Sequence, residues 1–237
     1  MKHPSMQLTL RACAALLAYP SAELQAHVGD IRAALAGEGA LPRRAQAGLQ
    51  ALLDRLQTAD LLDLQAGYSD LFDRSRSLSL HLFEHVHGDN RERGQAMIDL
   101  GEQYVASGFY LQGNELPDFL PVFLEYVSCL EPAESRETLA QPAHVYAAIA
   151  DRLDKRQSPY AGIFHALVAL ADGKYDAEAL RELQAREPDD DPARVDDEWE
   201  EAPVTFNVAA TGGIGAAAGV AVPIKVVRRT SSKEPRP

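Results

Sequence analysis

Apolar residues recur three or four positions apart along most of residues 1–186, and short breakers separate one run from the next. This spacing places apolar side chains on one face of an α-helix, whereas a half-buried β-strand needs strict alternation, of which no convincing stretch is present. The clearest runs are Leu10–Leu17, Leu24–Leu35, Ala45–Leu56, Leu61–Phe72 and Leu120–Val127. We therefore predict an all-α fold, a single domain of roughly eight to ten short helices packed around one core.

Several residues mark where these helices begin and end. Ser21 and Asp60 are predicted N-caps, because their side-chain oxygens can accept hydrogen bonds from the first helical turn. Pro42 is predicted to begin a helix that continues to Leu56. Pro132 is predicted to end the helix that contains Leu120–Val127. The stretch 73–93 is rich in Arg, Ser and His and carries no clear helical spacing.

The composition changes after Arg186. Glu187–Glu201 holds nine acidic residues and one arginine, Ala202–Ile224 holds no charged residue, and Lys225–Pro237 is basic. A segment of this composition does not bury enough apolar surface to offset the entropy lost on ordering. We therefore expect residues 187–237 to be a mostly disordered tail, made of an acidic linker and a Gly/Ala-rich segment with a basic end.

The overall charge constrains the partners. The chain has 23 Lys and Arg against 35 Asp and Glu, a net charge of −12. Sequence-independent nucleic-acid binding depends on neutralising phosphates with Lys and Arg, so we expect no nucleic-acid partner. An acidic protein instead favours basic partners, such as a peptide that carries Arg or Lys.

The compartment follows from the cysteines and the apolar segments. Cys13 and Cys129 lie far apart and form no disulfide framework, which fits a reducing environment. The N-terminus does not follow the pattern of a signal peptide. The uncharged segment Val208–Ile224 is mostly Ala and Gly, a poor composition for a membrane span. We expect a cytoplasmic protein with no stable membrane insertion.

One string looks catalytic. His81-Leu-Phe-Glu-His85 matches the inverted zinc-protease pattern H-x-x-E-H. On a helix the two histidines would lie one turn apart and could share a metal, with Glu84 as general base. Three fixed positions in five residues are a weak signal, and no spacing marks a third ligand. We expect no metal and no catalytic residue, with a zinc-dependent hydrolase built on His81, Glu84 and His85 as the less favoured alternative.

Two longer blocks carry a family resemblance. They are Tyr68–Met97, YSDLFDRSRSLSLHLFEHVHGDNRERGQAM, and Asn114–Glu125, NELPDFLPVFLE. Both resemble the signature of the nitrate reductase molybdenum-cofactor assembly chaperones, the NarJ subgroup of the TorD/DmsD-type redox-enzyme maturation chaperones. The acidic stretch that ends at Phe206 is similar to the end of that family, so the resemblance covers about Leu10–Phe206.

The resemblance implies a TorD-like helical chaperone domain over residues 1–186 and no enzymatic activity. Such chaperones bind the N-terminal segment of the apo catalytic (alpha) subunit of respiratory nitrate reductase. They assist molybdenum-cofactor insertion before that subunit docks at the membrane, and they keep no cofactor themselves. A generic helical adaptor for some other peptide stays open as an alternative, and so does the oligomeric state.

The candidate client-binding residues are apolar and acidic positions of the two blocks. An amphipathic helical peptide would bury its apolar stripe in a groove between helices, and acidic side chains around the groove would pair with its basic residues. The expected residues are Tyr68, Phe72, Asp73, Leu80, Phe83, Glu84, His85, Glu115, Pro117, Asp118, Phe119 and Glu125. The related sorting chaperones have an Asp-His pair where this chain has Asp118-Phe119, which favours an apolar contact at position 119.

Overall fold

A computed structural model describes residues 5–87, 91–111, 115–173 and 175–186, and the predicted tail lies outside these residues. The described chain is all helical apart from one isolated β-bridge. Its α-helices are α1 (Gln7–Leu17), α2 (Ala22–Glu38), α3 (Arg43–Gly48), α4 (Gln50–Thr58), α5 (Leu61–Phe72), α6 (Leu82–Val86), α7 (Arg91–Ala106), α8 (Leu120–Cys129), α9 (Pro132–Ala140), α10 (Ala143–Lys155), α11 (Ala161–Leu170) and α12 (Ala177–Ala185). A 3-10 turn spans Arg76–Leu78.

The all-α prediction is confirmed, and the described residues divide into more helices than expected. The helix predicted from Pro42 to Leu56 is broken at Leu49 into α3 and α4. Pro132 does end the preceding run, but it also begins α9, because proline is accepted in the first turn where no intrahelical donor is needed. The stretch without clear helical spacing contributes the 3-10 turn and the short α6.

Local capping explains the boundaries that were predictable. The Ser21 hydroxyl oxygen accepts a hydrogen bond from the Leu24 N–H at 3.1 Å, and Asp60 accepts one from the Leu62 N–H at 2.9 Å. Asp176 caps α12 in the same way. At the other end of α2, Gly39 takes a φ of +62°, the left-handed conformation in which glycine ends helices without a steric penalty.

The core lies where α1, α8, α10 and α11 pack together with their neighbours. Helix α1 packs on α8 and α2, and α10 packs on α11 and α12. These helices bury large apolar side chains completely, including Leu16, Leu124 and Phe164. Helix α11 also approaches α3 so closely that a Cβ on Gly162 would overlap the Gly48 carbonyl group. Among the described helices, none combines the length and the hydropathy that crossing a bilayer requires.

Candidate functional site

The two sequence blocks meet through their backbones. His81 and Phe119 form an isolated antiparallel bridge. The Leu82 N–H donates to the Asp118 carbonyl oxygen at 3.0 Å, and the Leu120 N–H donates to the Leu80 carbonyl oxygen at 2.8 Å. The entrance to α6 is therefore joined to the entrance to α8. We call this contact, residues 80–83 against 117–120, the block junction.

Asp118 organises the block junction from within. Its side chain is fully buried, and its carboxylate accepts a hydrogen bond from the Phe83 N–H at 3.2 Å. The other carboxylate oxygen lies 3.2 Å from Nδ1 of His81, which donates to it. This hydrogen bond raises the pKa of His81, although partial burial acts in the opposite direction. The His81 ring also lies against Phe119, with the ring centroids 5.3 Å apart.

The three residues of the H-x-x-E-H pattern have other partners. His81 precedes α6 and bonds Asp118, while His85 is buried with Nε2 at 2.8 Å from the Ser79 carbonyl oxygen. Burial lowers the pKa of His85. Glu84 forms an ion pair with Arg93 at 3.2 Å. Within the part of the chain that the structure describes, no group of three His, Cys, Asp or Glu residues is arranged to hold a metal.

Tyr68 and Phe72 belong to an aromatic cluster. Their ring centroids are 4.9 Å apart, and the Phe72 ring lies edge-on to Tyr160 at 5.1 Å. The Tyr68 hydroxyl donates to the Leu17 carbonyl oxygen at 2.8 Å. Burial raises the pKa of Tyr68, and the charges of nearby Asp73 and Glu115 raise it further. These contacts fasten α5 to α1 and to the start of α11.

The expected client-binding residues thus divide by burial. Five are buried in the described structure: Tyr68, Phe72, Leu80, His85 and Asp118. Seven are half-buried or exposed: Asp73, Phe83, Glu84, Glu115, Pro117, Phe119 and Glu125. Phe83, Pro117 and Phe119 belong to the block junction and Glu84 follows it directly in α6, whereas Glu125 lies further along α8. Client binding by any of the twelve stays a prediction.

The described residues also form an apolar groove that the sequence pattern did not indicate. It has a volume of about 660 Å³ and lies between α7 and the segment 109–111. Ile98, Val105 and Tyr110 line it and are 56%, 54% and 69% exposed. Within α7, Met97, Leu100 and Tyr104 have the spacing of one helical face. Ile98 and Val105, seven positions apart, form a second apolar stripe, which is the sequence signal for the groove.

The groove, which we call the α7 groove, is attached to the block junction. Tyr104 forms its floor, fully buried, with its ring centroid 4.3 Å from that of Tyr126. The Tyr104 hydroxyl donates to the Pro117 carbonyl oxygen at 2.7 Å. On the other side, Arg93 of α7 forms its ion pair with Glu84 of α6. Helix α7 therefore carries an open apolar surface beside the half-buried residues of the block junction.

Comparison with a solved structure defines the class of fold. The chain is similar to a crystal structure of a proposed redox enzyme maturation protein from Archaeoglobus fulgidus, with a TM-score of 0.52 and 22% identity. The match covers 70% of this chain and 94% of that one. The helical fold is thus shared with that structure.

Comparison of sequences gives the family. The chain belongs to the nitrate reductase delta subunit family, whose model matches residues 38–166. It is 45% identical over 192 residues to the nitrate reductase molybdenum cofactor assembly chaperone NarJ of Escherichia coli K12, with 81% of each chain covered. It is also 40% identical to NarW of the same strain, covering 70% of this chain and 73% of that one. The family resemblance predicted from the two blocks is confirmed, and the hydrolase alternative is wrong because this is a family of chaperones.

Proposed function

We propose that this protein is the maturation chaperone of a respiratory nitrate reductase and acts in the cytoplasm. It binds the N-terminal segment of the apo catalytic (alpha) subunit and keeps that subunit able to accept the molybdenum cofactor. The client retains the cofactor, and the chaperone holds none permanently. The names of the relatives support the assembly role, since they are chaperones of molybdenum cofactor assembly in nitrate reductase.

The observation that carries the client-binding proposal is the α7 groove. Its exposed Ile98, Val105 and Tyr110 form a contiguous apolar surface of the kind that marks interaction sites in soluble proteins. A groove along one helix suits an amphipathic helical peptide, whose apolar stripe would replace water over these side chains. Burial of apolar area of this kind contributes roughly 25 cal/mol per Å² before the costs of association.

Charge around the groove favours a basic client segment. Glu102 lines the groove, and exposed Glu92 and Asp99 lie on the same helix. Glu115 adds an exposed carboxylate from the second sequence block. Arg or Lys residues of a peptide would speed the encounter and fix its register against these carboxylates. While bound, the peptide cannot contact the membrane subunit, so binding delays docking by mass action.

The test is calorimetric titration of the full chain with a synthetic peptide of roughly 15–30 residues, taken from the N-terminus of the cognate catalytic subunit, in EDTA. We expect binding with a negative heat-capacity change, the signature of apolar burial. Ile98→Asp should weaken binding by at least about tenfold, since it places a charge against the apolar stripe of the peptide.

The matched control is Leu62→Asp, which makes the same charge change at a leucine that is 73% exposed on α5, outside the groove. It should bind the peptide as the unmodified chain does. Equal losses in the two variants would refute the groove as the docking site. Binding of a scrambled peptide with equal affinity would refute recognition of this client.

A further inference from the structure

A carboxylate interrupts the apolar stripe of the α7 groove. Glu102 lies four residues after Ile98 and three residues before Val105, so the three side chains follow one face of the helix. All three line the groove. An apolar residue at position 102 would have made the stripe continuous. The groove instead presents an apolar side chain, a carboxylate and a second apolar side chain at intervals of one helical turn.

The Glu102 carboxylate is open to an incoming cation. Glu102 is exposed, and none of the described basic side chains forms an ion pair with it. The other two acidic residues of α7 have partners and do not line the groove. Asp99 accepts a hydrogen bond from Nε2 of Gln95 at 2.7 Å, and a Glu92 carboxylate oxygen lies 4.0 Å from Nδ1 of His87. Glu102 is thus the acidic residue of α7 that combines a place in the groove with an uncommitted charge.

The position next to Glu102 leaves room for a close approach. Gly101 also lines the groove, and a Cβ there would meet no described atom outside its own stretch of helix within 4 Å. The described packing would therefore accommodate a larger residue, although glycine weakens the interior of a helix. The missing side chain leaves the α7 backbone open between Ile98 and Val105. The backbone of a docked helix can approach there and bring its side chains within reach of Glu102.

Covering the groove changes what Glu102 needs. In the free protein water solvates the carboxylate, whereas a docked helix would displace much of that water. An unpaired carboxylate in such a place raises the free energy of the complex, and a Lys or Arg of the incoming helix offsets that cost by forming an ion pair. Glu102 therefore penalises a helix whose docking face is purely apolar, and such a penalty is a source of specificity.

We propose that Glu102 selects which helices the α7 groove accepts. An accepted helix carries Lys or Arg on its docking face, with apolar residues three or four positions before and after that basic residue. The helix crosses α7 at Gly101, where the two backbones approach most closely. This selection rests on the client docking proposed above and adds the residue pattern that the client segment must carry.

The test uses the full chain and the peptide from the N-terminus of the catalytic subunit, together with peptides in which each Lys or Arg is changed to Gln in turn. Calorimetric titration gives the Kd of every pair. We expect Glu102→Gln to weaken binding of the unmodified peptide roughly fivefold, the loss of one partly covered ion pair. One Gln-substituted peptide should show the same loss with the unmodified chain. Glu102→Gln should weaken binding of that peptide little further, because both changes remove the same ion pair.

Reversal of the charge separates an ion pair from a structural effect. Glu102→Lys should weaken binding of the unmodified peptide by at least about tenfold, and a change of the coupled basic residue of the peptide to Glu should restore most of the loss. The matched control is Glu137→Gln, which removes the same charge from an exposed residue of α9 outside the groove. It should leave the Kd unchanged.

The crossing point has its own pair of variants. Gly101→Leu adds a side chain between Ile98 and Val105 and should weaken binding by at least about tenfold, because it keeps the two backbones apart. Gly29→Leu makes the same change at an exposed glycine of α2 where a Cβ also meets open space, and it should bind as the unmodified chain does. Urea unfolding should show both variants to be folded, since leucine favours a helix more than glycine does.

The outcomes distinguish this selection from client docking itself. Binding by the unmodified chain with the same Kd for Glu102→Gln and Glu137→Gln, or with no basic residue of the peptide coupled to position 102, would overturn the role of Glu102 and leave the groove as the docking site. Unchanged binding by Gly101→Leu would overturn the crossing point. Absence of binding by the unmodified chain would overturn the proposed function, and the selection with it.

Discussion

Helices α7 and α8 carry similar apolar residues and make opposite use of them. Helix α8 is short, and most of its side chains are buried, with Leu120, Leu124 and Val127 fully so. Helix α7 is longer, yet among its described side chains only Tyr104 is fully buried. Apolar spacing therefore predicts a helix in both cases but does not say what covers it. In α8 the covering is the protein itself, whereas the apolar stripe of α7 that lines the groove stays exposed.

The strongest test of this comparison is Leu124→Ala in α8. The change removes a fully buried side chain and leaves a cavity, so it should lower the free energy of unfolding by about 2–5 kcal/mol. Urea unfolding followed by circular dichroism measures the loss. A cost below about 1 kcal/mol would mean that α8 is no more tightly packed than α7.

The block junction should give the next largest effect. Asp118→Ala removes the acceptor of the Phe83 N–H and the partner of His81 in a fully buried position. Leaving the Phe83 donor without its partner should cost about 1–3 kcal/mol. Hydrogen exchange of the Phe83 amide locates the loss. Unchanged protection there would show that Asp118 does not hold the entrance to α6.

The histidines before and within α6, His81 and His85, should give opposite pH dependences. The pKa of His81 is raised by the hydrogen bond to Asp118, so its contribution to stability is complete below about pH 6.5 and is lost as the pH rises above that value. The pKa of His85 is lowered by burial, so its protonation disfavours the fold as the pH falls below about 6.5. Urea unfolding midpoints, measured at pH values below and above about 6.5, test both dependences of stability on pH.

Single substitutions separate the two contributions. His81→Asn should flatten the profile above about pH 6.5 and leave the acid side unchanged. His85→Gln should lower stability overall, since the Ser79 carbonyl oxygen loses its partner, and should reduce the acid-side slope. An unchanged profile in both variants would mean that neither His81 nor His85 causes the pH dependence of stability.

The smallest effect on stability belongs to α7. Ile98→Ala shortens a side chain that is already more than half exposed, so the free energy of unfolding should change by less than about 0.5 kcal/mol. The same substitution should still weaken binding of the client peptide. A large loss of stability would mean that the α7 groove is covered in the free protein.

Local signals made much of the fold predictable. The caps Ser21 and Asp60 lie within a turn of the groups they satisfy, so their sequence neighbourhood specifies them. The break at Leu49 was missed because it lies beside Gly48, where α11 approaches α3, and that contact is distant in sequence. The same reason applies to the bridge between His81 and Phe119, which no local pattern encodes.

The candidate site was less predictable because burial decides which residues a partner can touch. The two blocks correctly indicated the family, but Tyr68 and Phe72 are used by the aromatic cluster, while the α7 groove lies in a less distinctive stretch. A sequence with two apolar stripes on one helix does not say which stripe the core takes. Only the packing of Tyr104 against Tyr126 resolves that choice.

The packing of α1 against α8 has a consequence for synthesis. Arg11 donates to the Ser128 hydroxyl oxygen at 3.2 Å across a separation of 117 residues. The first helix therefore leaves the ribosome long before its main partner exists, by on the order of ten seconds at about 5–20 residues per second. During that interval the apolar face of α1 lacks its main partner, α8. The last step of core assembly must wait until the second sequence block has been translated.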